Sequence, residues 1–556
     1  MPVALQCKKM HRICPRLFIR LSPAQFQRAR SACLATLCAD FLIMHMHLPS
    51  VLSFLIWVPV VSGIFVLTFA PSATLARAVA LFGALLSLLP AIQLVSQFDN
   101  SSSAMQFVER VDWLPQFGAS YHLGVDGISL WFTMLTAVTT LIIFIASWRS
   151  VTKQVAQFYG AFLVLAGCMQ GVFTSLDGML FFAFFEASLI PLYLLIGTWG
   201  SGEKRIYAAL RFFFFSLFGS LAMLAALIYL WTQAHTFDID AWRALKLDFI
   251  PQVVIFLCFV AAFSVKVPMW PVHTWLPDVN AEGPTGAAVL LGMLKIGGYG
   301  MLRYVLPIVP DASHFFAPAM IALSLVAIIY GSLVALAQTD MRKLLAYSGV
   351  AHMGLVTLGL FTFDRIGTEG AVVQMLSYGV VSGAMLLCTG VLFDRTRNGS
   401  IDAYGGVANT MPKFATYAML FSMANVGLPG TSGFVGEFLV LMGAIRFNFW
   451  VGAAAALSLI LSAAYTLWMY KRVMFGAVKN DRVAKLRDIG RREFVLFGAI
   501  AVLVLAIGVH PKTFTDAIGP SVENALAASQ GSSLPTDPSA PSYDAHHETV
   551  SERQPG

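Results

Sequence analysis

Apolar residues fill this chain in long runs, and the short stretches between them hold most of its Lys, Arg, Asp and Glu. An α-helix needs about 20 apolar residues to cross roughly 30 Å of hydrocarbon. By that measure the pattern predicts helices over 51–70, 74–96, 128–148, 158–175, 179–199, 208–232, 252–275, 285–307, 314–338, 343–363, 368–393, 412–442, 448–472 and 494–511, about fourteen crossings in all. The alternating ten-residue segments of a membrane β-barrel are absent. Two runs carry their own interruption. In FSVKVPMWPVHTWLP (263–277), Pro268 cannot donate to the Ser264 carbonyl, nor Pro271 to that of Val267, so the seventh helix breaks just after Lys266. In NVGLPGTSGFVGEF (425–438), Gly427, Pro429, Gly430 and Gly433 break the twelfth just before Glu437.

Broken helices in matching positions, each beside an ionisable residue, point to paired structural repeats. The expectation is an all-α polytopic membrane protein with five-helix repeats over 158–308 and 309–476. Five is odd, so the second repeat is inverted relative to the first. The first three helices fall in 46–157, and 477–511 holds a basic loop and the last helix. Residues 1–45 read as a basic extension, either a targeting segment or an over-long start with Met44 or Met46 as the real one. Residues 512–556 read as a polar, largely disordered tail.

Composition agrees with the pattern. At 58% hydrophobic and 12% charged residues, with mean hydropathy +0.74, the chain is too apolar for a soluble domain. The loops expected to face inward carry Arg149, Lys153, Lys204, Arg205, Arg211, Arg342, Lys343, Arg395, Arg397, Lys413 and the cluster over 471–492, whereas the outward loops hold far fewer. By the positive-inside rule both ends of the helical body face outward. The net charge of +7 then belongs to loop retention rather than to a nucleic-acid partner. Cys168, Cys258 and Cys388 stand singly in apolar runs, where packing is the default. No metal spacing, phosphate loop, dinucleotide fingerprint or iron–sulfur cysteine set occurs.

An ionised side chain in hydrocarbon costs several kcal/mol on the mildest scales, so each one inside a run is a candidate for function. They are Glu186, Lys266, Lys295, His352 and Glu437. Beside the break, freed carbonyls favour a charged Lys266 and desolvation favours a neutral one, so its charge can be switched by a nearby change. A static ion pair with Glu186 is the competing reading. His352, in YSGVAHMG (347–354), has small neighbours that leave room for water. Arg303 and Lys471 lie near helix ends, where snorkelling accounts for them, and Asp126 in GVDGIS (124–129) reads as a helix cap.

GVDGIS, FFEASLIPLYLLIGTWG with the following RIYAALRFF, VKVPMWPVHTWLP, LLAYSGVAHMG and NVGLPGTSGFVGEFLVL resemble, in order, the antiporter-like subunit M family of bacterial NADH-quinone oxidoreductase, complex I. Mitochondrial chain 4 is its counterpart. The likeness runs over about residues 46–511. It implies fourteen helices in two inverted five-helix units, and a role in proton translocation driven by quinone reduction elsewhere in the complex. Glu186 and Lys266 match the family's Glu–Lys pair, Lys295 its central lysine, His352 a histidine of the hydrophilic axis, and Glu437 the terminal residue of the twelfth helix. Tyr378, His273 and Arg211 are accessory candidates.

The resemblance further implies neighbouring antiporter-like membrane-arm subunits as partners, membrane lipids around them, and a bacterial inner-membrane location. NADH, FMN, iron–sulfur clusters and quinone are expected in other subunits, with no cofactor in this chain. A Na⁺/proton antiporter subunit is the alternative. Glu437 argues against it, because the sister subunits and related antiporters usually carry lysine there. The chain departs from the family pattern at Tyr378, commonly histidine, at NAEGP (280–284), commonly HVEAP, and in a Lys266-to-Lys295 path about two residues shorter.

Overall fold

The computed structural model describes residues 50–285, 294–478 and 481–530, so the N-terminal extension and the distal tail lie outside the described residues. Among the described residues twelve helices are long and apolar enough to cross a membrane. In chain order, α1 (Val51–Phe69) and α2 (Ala73–Gln97) precede a hairpin of β1 (Gln106–Leu114) and β2 (Ala119–Val125). Then come α3 (Gly127–Ser147), α4 (Val155–Thr174), α5 (Gly178–Ala187), α6 (Leu189–Trp199), α7 (Arg205–Ala234), α8 (Phe249–Lys266) and α9 (Leu276–Glu282). The second half holds α10 (Leu294–Gly300), α11 (Pro310–Leu336), α12 (Met341–Phe361), α13 (Arg365–Thr396), α14 (Pro412–Val426), α15 (Ser432–Phe447), α16 (Phe449–Met474), α17 (Arg491–Val509) and α18 (Lys512–Ala528).

Both breaks stand where proline and glycine place them. α8 ends at Lys266 and irregular backbone runs to α9. The carbonyls there are largely re-used within the protein: Ser264 accepts from the Met269 N–H at 2.9 Å, and Val265 from the Trp275 indole at 3.1 Å. The freed groups expected to face a cation are therefore partly spent. The twelfth predicted helix is two pieces, α14 and α15, neither long enough to span alone. Gly427 takes φ +85 at the C-cap of α14, a conformation that favours glycine. Of the eighth predicted helix, 286–293 lies outside the described residues. The rest is α10, a π-helical turn over Met301–Val305 and one turn over Leu306–Ile308.

Three features differ from the sequence expectation. The fifth helix is interrupted at Ser188 between α5 and α6, where Pro191 has no N–H for the carbonyl of Ala187. The loop after α2 forms an antiparallel hairpin in which Glu109 accepts from the Leu52 and Ser53 N–H groups, at 2.8 Å and 3.1 Å, and so caps α1. Finally, residues 512–528, read as part of a disordered tail, form α18. Its apolar side buries Ala517, Ile518, Val522 and Ala525, which gives this short helix a packing surface that the polar residues around it conceal in the sequence.

The backbone also shows a repeat that residue identity hides. α5 opens on Asp177, whose carboxylate accepts from the Met179 and Leu180 N–H groups at 2.9 Å and 3.0 Å. α12 opens on Asp340, which accepts from Arg342 and Lys343 at 2.8 Å and 3.2 Å. Gly178 donates to Phe237 and Ile239 donates back to Leu176; likewise Met341 donates to Gly399 and Ile401 to Thr339. α7 and α13 each end on a left-handed residue, His235 and Arg397. The copy at Asp177 lies by the hairpin, through Ser120, and the copy at Asp340 lies at the other end of the bundle, where Arg342 reaches Ser201 after α6.

The bundle's centre is α12, 94% buried over its apolar window, against 33% for α16 at the rim. The charges therefore collect around α12 and its neighbours.

Candidate functional site

At the first break Lys266 is 1% exposed. Its Nζ has no hydrogen-bond partner among the described residues and sits over two aromatic faces, 4.9 Å from the Phe185 ring centre and 5.1 Å from that of Phe212. Cation–π attraction of this kind grows when water is excluded. Glu186 precedes the interruption at Ser188, and its Oε1 is also buried without a hydrogen-bond partner among the described residues. The two charges are electrostatic neighbours, yet no ion pair closes between them. A static salt bridge is thus not what holds Lys266 here.

Lys295, 3% exposed, stands at the start of α10. It reaches α13 at Gly379, where a Cβ built on the glycine would fall 2.7 Å from Nζ and from Cε. A side chain there would force the end of Lys295 to shift. The residue before it, Tyr378, places its ring 5.0 Å from that of His352. The central lysine and the second break therefore meet through adjacent residues of one helix.

At the second break the charges touch. His352 Nδ1 lies 3.0 Å from Glu437 Oε1, both side chains almost fully buried. Gln374 Nε2 stands 3.4 Å from each of these atoms, and Tyr465 Oη 3.5 Å from His352 Nε2. Tyr465 bonds Ser348 at 2.9 Å, and Asn425 donates to Thr466 at 2.9 Å. Glu437 Oε2 faces Gly427, where a Cβ would come within 2.7 Å of it. The glycine that ends α14 thus also makes room for the carboxylate. The imidazole thus has a partner at each ring nitrogen, a carboxylate and a hydroxyl, through which a proton can be exchanged.

The accessory candidates separate. Tyr378 belongs to the His352 cluster. His273 is buried in the irregular segment, between the rings of Tyr330 and Tyr347 at 5.6 Å and 6.1 Å. Arg211 forms an ion pair with Asp278 of α9, one residue from the Phe212 ring that holds Lys266. Lys471 is exposed at the end of α16, in keeping with snorkelling. Arg303 is not: it is 5% exposed and 2.7 Å from Asp126, because the π-helical turn lies inside the bundle rather than at its rim. Asp126 does cap α3, accepting from the Ser129 N–H at 2.9 Å, but it also carries this ion pair. Gln374, Asn425, Thr466 and Tyr465 escape a search confined to residues charged near neutral pH and to histidine. Uncharged polar groups on otherwise apolar, deeply buried helices are the signal that finds them.

Buried ionisable groups at two helix breaks, with polar residues around the second, mark this as a helical membrane protein with a charged centre. The family described as "NADH:quinone oxidoreductase/Mrp antiporter, TM" matches residues 175–462, which include both breaks and all five ionisable residues. The chain is 47% identical over 462 residues to NADH-quinone oxidoreductase subunit M of Rhodobacter capsulatus, covering 80% of this chain and 90% of that protein. It is 41% identical over 476 residues to NADH-ubiquinone oxidoreductase chain 4 of Marchantia polymorpha, with 85% and 96% covered. A chain of respiratory complex I from Thermus thermophilus superposes with TM-score 0.80 at 32% identity, over 86% of this chain and all of that one. A chain of the Mrp complex from Dietzia sp. superposes with TM-score 0.77 at 19% identity, a likeness of fold alone. The chain belongs to the NADH-quinone oxidoreductase subunit M and chain 4 family.

Proposed function

We propose that this chain conducts protons across the membrane as part of an NADH:quinone oxidoreductase, along Lys266, Lys295 and the His352–Glu437 pair. The single observation that carries the reading is the junction at Tyr378 and Gly379, which sets Lys295 on one side of α13 and His352 on the other. Glu186 is the control on the first step. In general, a carboxylate that withdraws from about 4 Å to about 8 Å of an ammonium, at an effective dielectric of about 20, weakens their attraction by about 2 kcal/mol. That is roughly a thirtyfold change in proton affinity. Such a change at Glu186 releases the Lys266 proton toward Lys295, and Glu437 delivers it at the far side.

In this reading the hairpin end faces outward and the basic cluster over 471–492 inward, as in a bacterial inner membrane, and the two repeats supply the inward and outward halves of the route. NADH, FMN, iron–sulfur clusters and quinone stay with other subunits, and quinone reduction there drives the cycle. The reading is tested in the whole complex, reconstituted in vesicles, with Lys295→Ala. The expected result is assembly with a proton-to-electron ratio clearly below wild type; an unchanged ratio contradicts the route.

A further inference from the structure

Lys295, Tyr299 and Arg303 recur every fourth residue, so they share one side of their segment and lead from the centre of the bundle toward the hairpin end. Such a side offers the Lys295 proton a short way out that bypasses His352 and Glu437. The structure fills that way with groups already engaged with one another: the Tyr299 hydroxyl with a backbone carbonyl and Arg303, and the Asp126 carboxylate with Arg303 and Ser129. Tyr299 donates its hydroxyl proton to the Phe173 carbonyl at 2.9 Å and accepts from Arg303 Nε at 3.3 Å. Arg303 Nη2 lies 2.7 Å from Asp126 Oδ1. Arginine does not deprotonate in proteins, and a backbone carbonyl cannot hand a proton forward. Beyond the ion pair, α18 closes the end. Ser521 Oγ accepts from the Gly127 N–H at 2.9 Å, and the Ala517 carbonyl packs so tightly on Gly127 that a Cβ there would overlap it.

We propose that Arg303, held in place by Asp126, is an electrostatic plug that denies the proton on Lys295 a direct exit at the hairpin end and so commits it to the His352–Glu437 pair. The inference rests on Lys295 carrying protons. A guanidinium keeps its proton and occupies both Asp126 and Tyr299, so it engages the acceptors an arriving proton would meet and adds a fixed positive group that Asp126 holds in place. Capping does not by itself explain the pair. Asp126 with Ser129 completes the α3 N-terminus without Arg303, and burying a guanidinium to tie two helices costs desolvation that an apolar contact avoids. Arg303 is a positioning residue in this scheme, because it steers the proton without carrying it.

The test uses the whole complex in sealed vesicles with a pH-sensitive dye inside, and reads two quantities. One is the decay of an imposed pH gradient without NADH; the other is NADH-driven proton uptake per electron pair. Arg303→Gln is expected to speed the passive decay several-fold, Arg303→Lys to stay near wild type, and Asp126→Asn to fall between them. Combining Arg303→Gln with Lys295→Ala should restore a tight membrane, because the leak passes through Lys295. Passive decay is read without turnover, so its outcome is separate from whether the proposed pumping route is right. A tight Arg303→Gln complex overturns the proposal. So does an equal leak in Arg303→Lys, a leak that persists in the double variant, or failure of both Arg303→Gln and Asp126→Asn to assemble, which marks a structural tie.

Discussion

At the first break Lys266 ends α8 between two phenylalanine rings with no hydrogen-bond partner among the described residues, whereas at the second Glu437 holds His352 at 3.0 Å among amides and hydroxyls. Both sites bury ionisable groups where helices are interrupted, so burial alone does not separate them. What separates them is what meets the ionisable groups: Lys266 Nζ has no hydrogen-bond partner, whereas Glu437 meets His352 and Gln374 through Oε1, although its Oε2, like Glu186 Oε1, has none among the described residues. A buried polar group without a partner is held only by its surroundings, and small changes nearby alter its preferred state. A buried contact with several hydrogen-bonding neighbours has a more fixed geometry. In the proposed route the first break responds to a signal and the second hands on what it receives.

This contrast can be strained at either end. The largest effect is expected at the closed site. Glu437→Gln keeps the shape and removes the carboxylate, and should lower coupled turnover about a hundredfold or more, the low edge of what a positioned acid–base group contributes. Next is Gly379→Val, whose Cβ would stand 2.7 Å from the Lys295 ammonium. Overpacking of that kind costs roughly 1–3 kcal/mol, so proton uptake per electron pair should fall while the complex assembles. Phe212→Leu removes one of the two rings over Lys266 and with it about 1–2 kcal/mol of cation–π attraction in a dry site. The expected outcome is a shift in the pH profile of pumping with little loss at its maximum. The smallest effect belongs to Tyr465→Phe. It loses a 3.5 Å contact to His352 and a bond to Ser348, about 1 kcal/mol in all, and should slow turnover by a few-fold at most. If Tyr465→Phe proves as damaging as Glu437→Gln, the closed site works as one cooperative network rather than as a pair.

Much of this was readable from residues. Runs of apolar side chains placed the helices, and proline and glycine placed both breaks, because a missing N–H or a left-handed residue acts locally and leaves a local mark. The ionisable residues in those runs stood out for a similar reason: hydrocarbon makes each one costly, so each needs a use. What escaped depends on distant partners. The interruption at Ser188 needs only Pro191, yet the long apolar run around it hides its effect. Arg303 looks like a snorkelling side chain until Asp126 is brought to it from well over a hundred residues away in the chain. The gap between Glu186 and Lys266, and the contact between His352 and Glu437, are matters of side-chain position across helices that share no local sequence. α18 is a helix by virtue of the surface it packs on, as Gly127, Ala517 and Ser521 show. The repeated motif lives mainly in cap and backbone bonds, with Asp177 and Asp340, and Ile-Asp-Ala at 239–241 and 401–403, as its common residues.

The central claim is that a proton enters the route at Lys266 and leaves it through Glu437. Its most direct test is NADH-driven proton translocation by the reconstituted complex carrying Lys266→Ala, measured as protons moved per electron pair. The account predicts an assembled complex with a clearly lowered ratio and most coupled quinone reductase activity lost. Wild-type stoichiometry in that variant would contradict it.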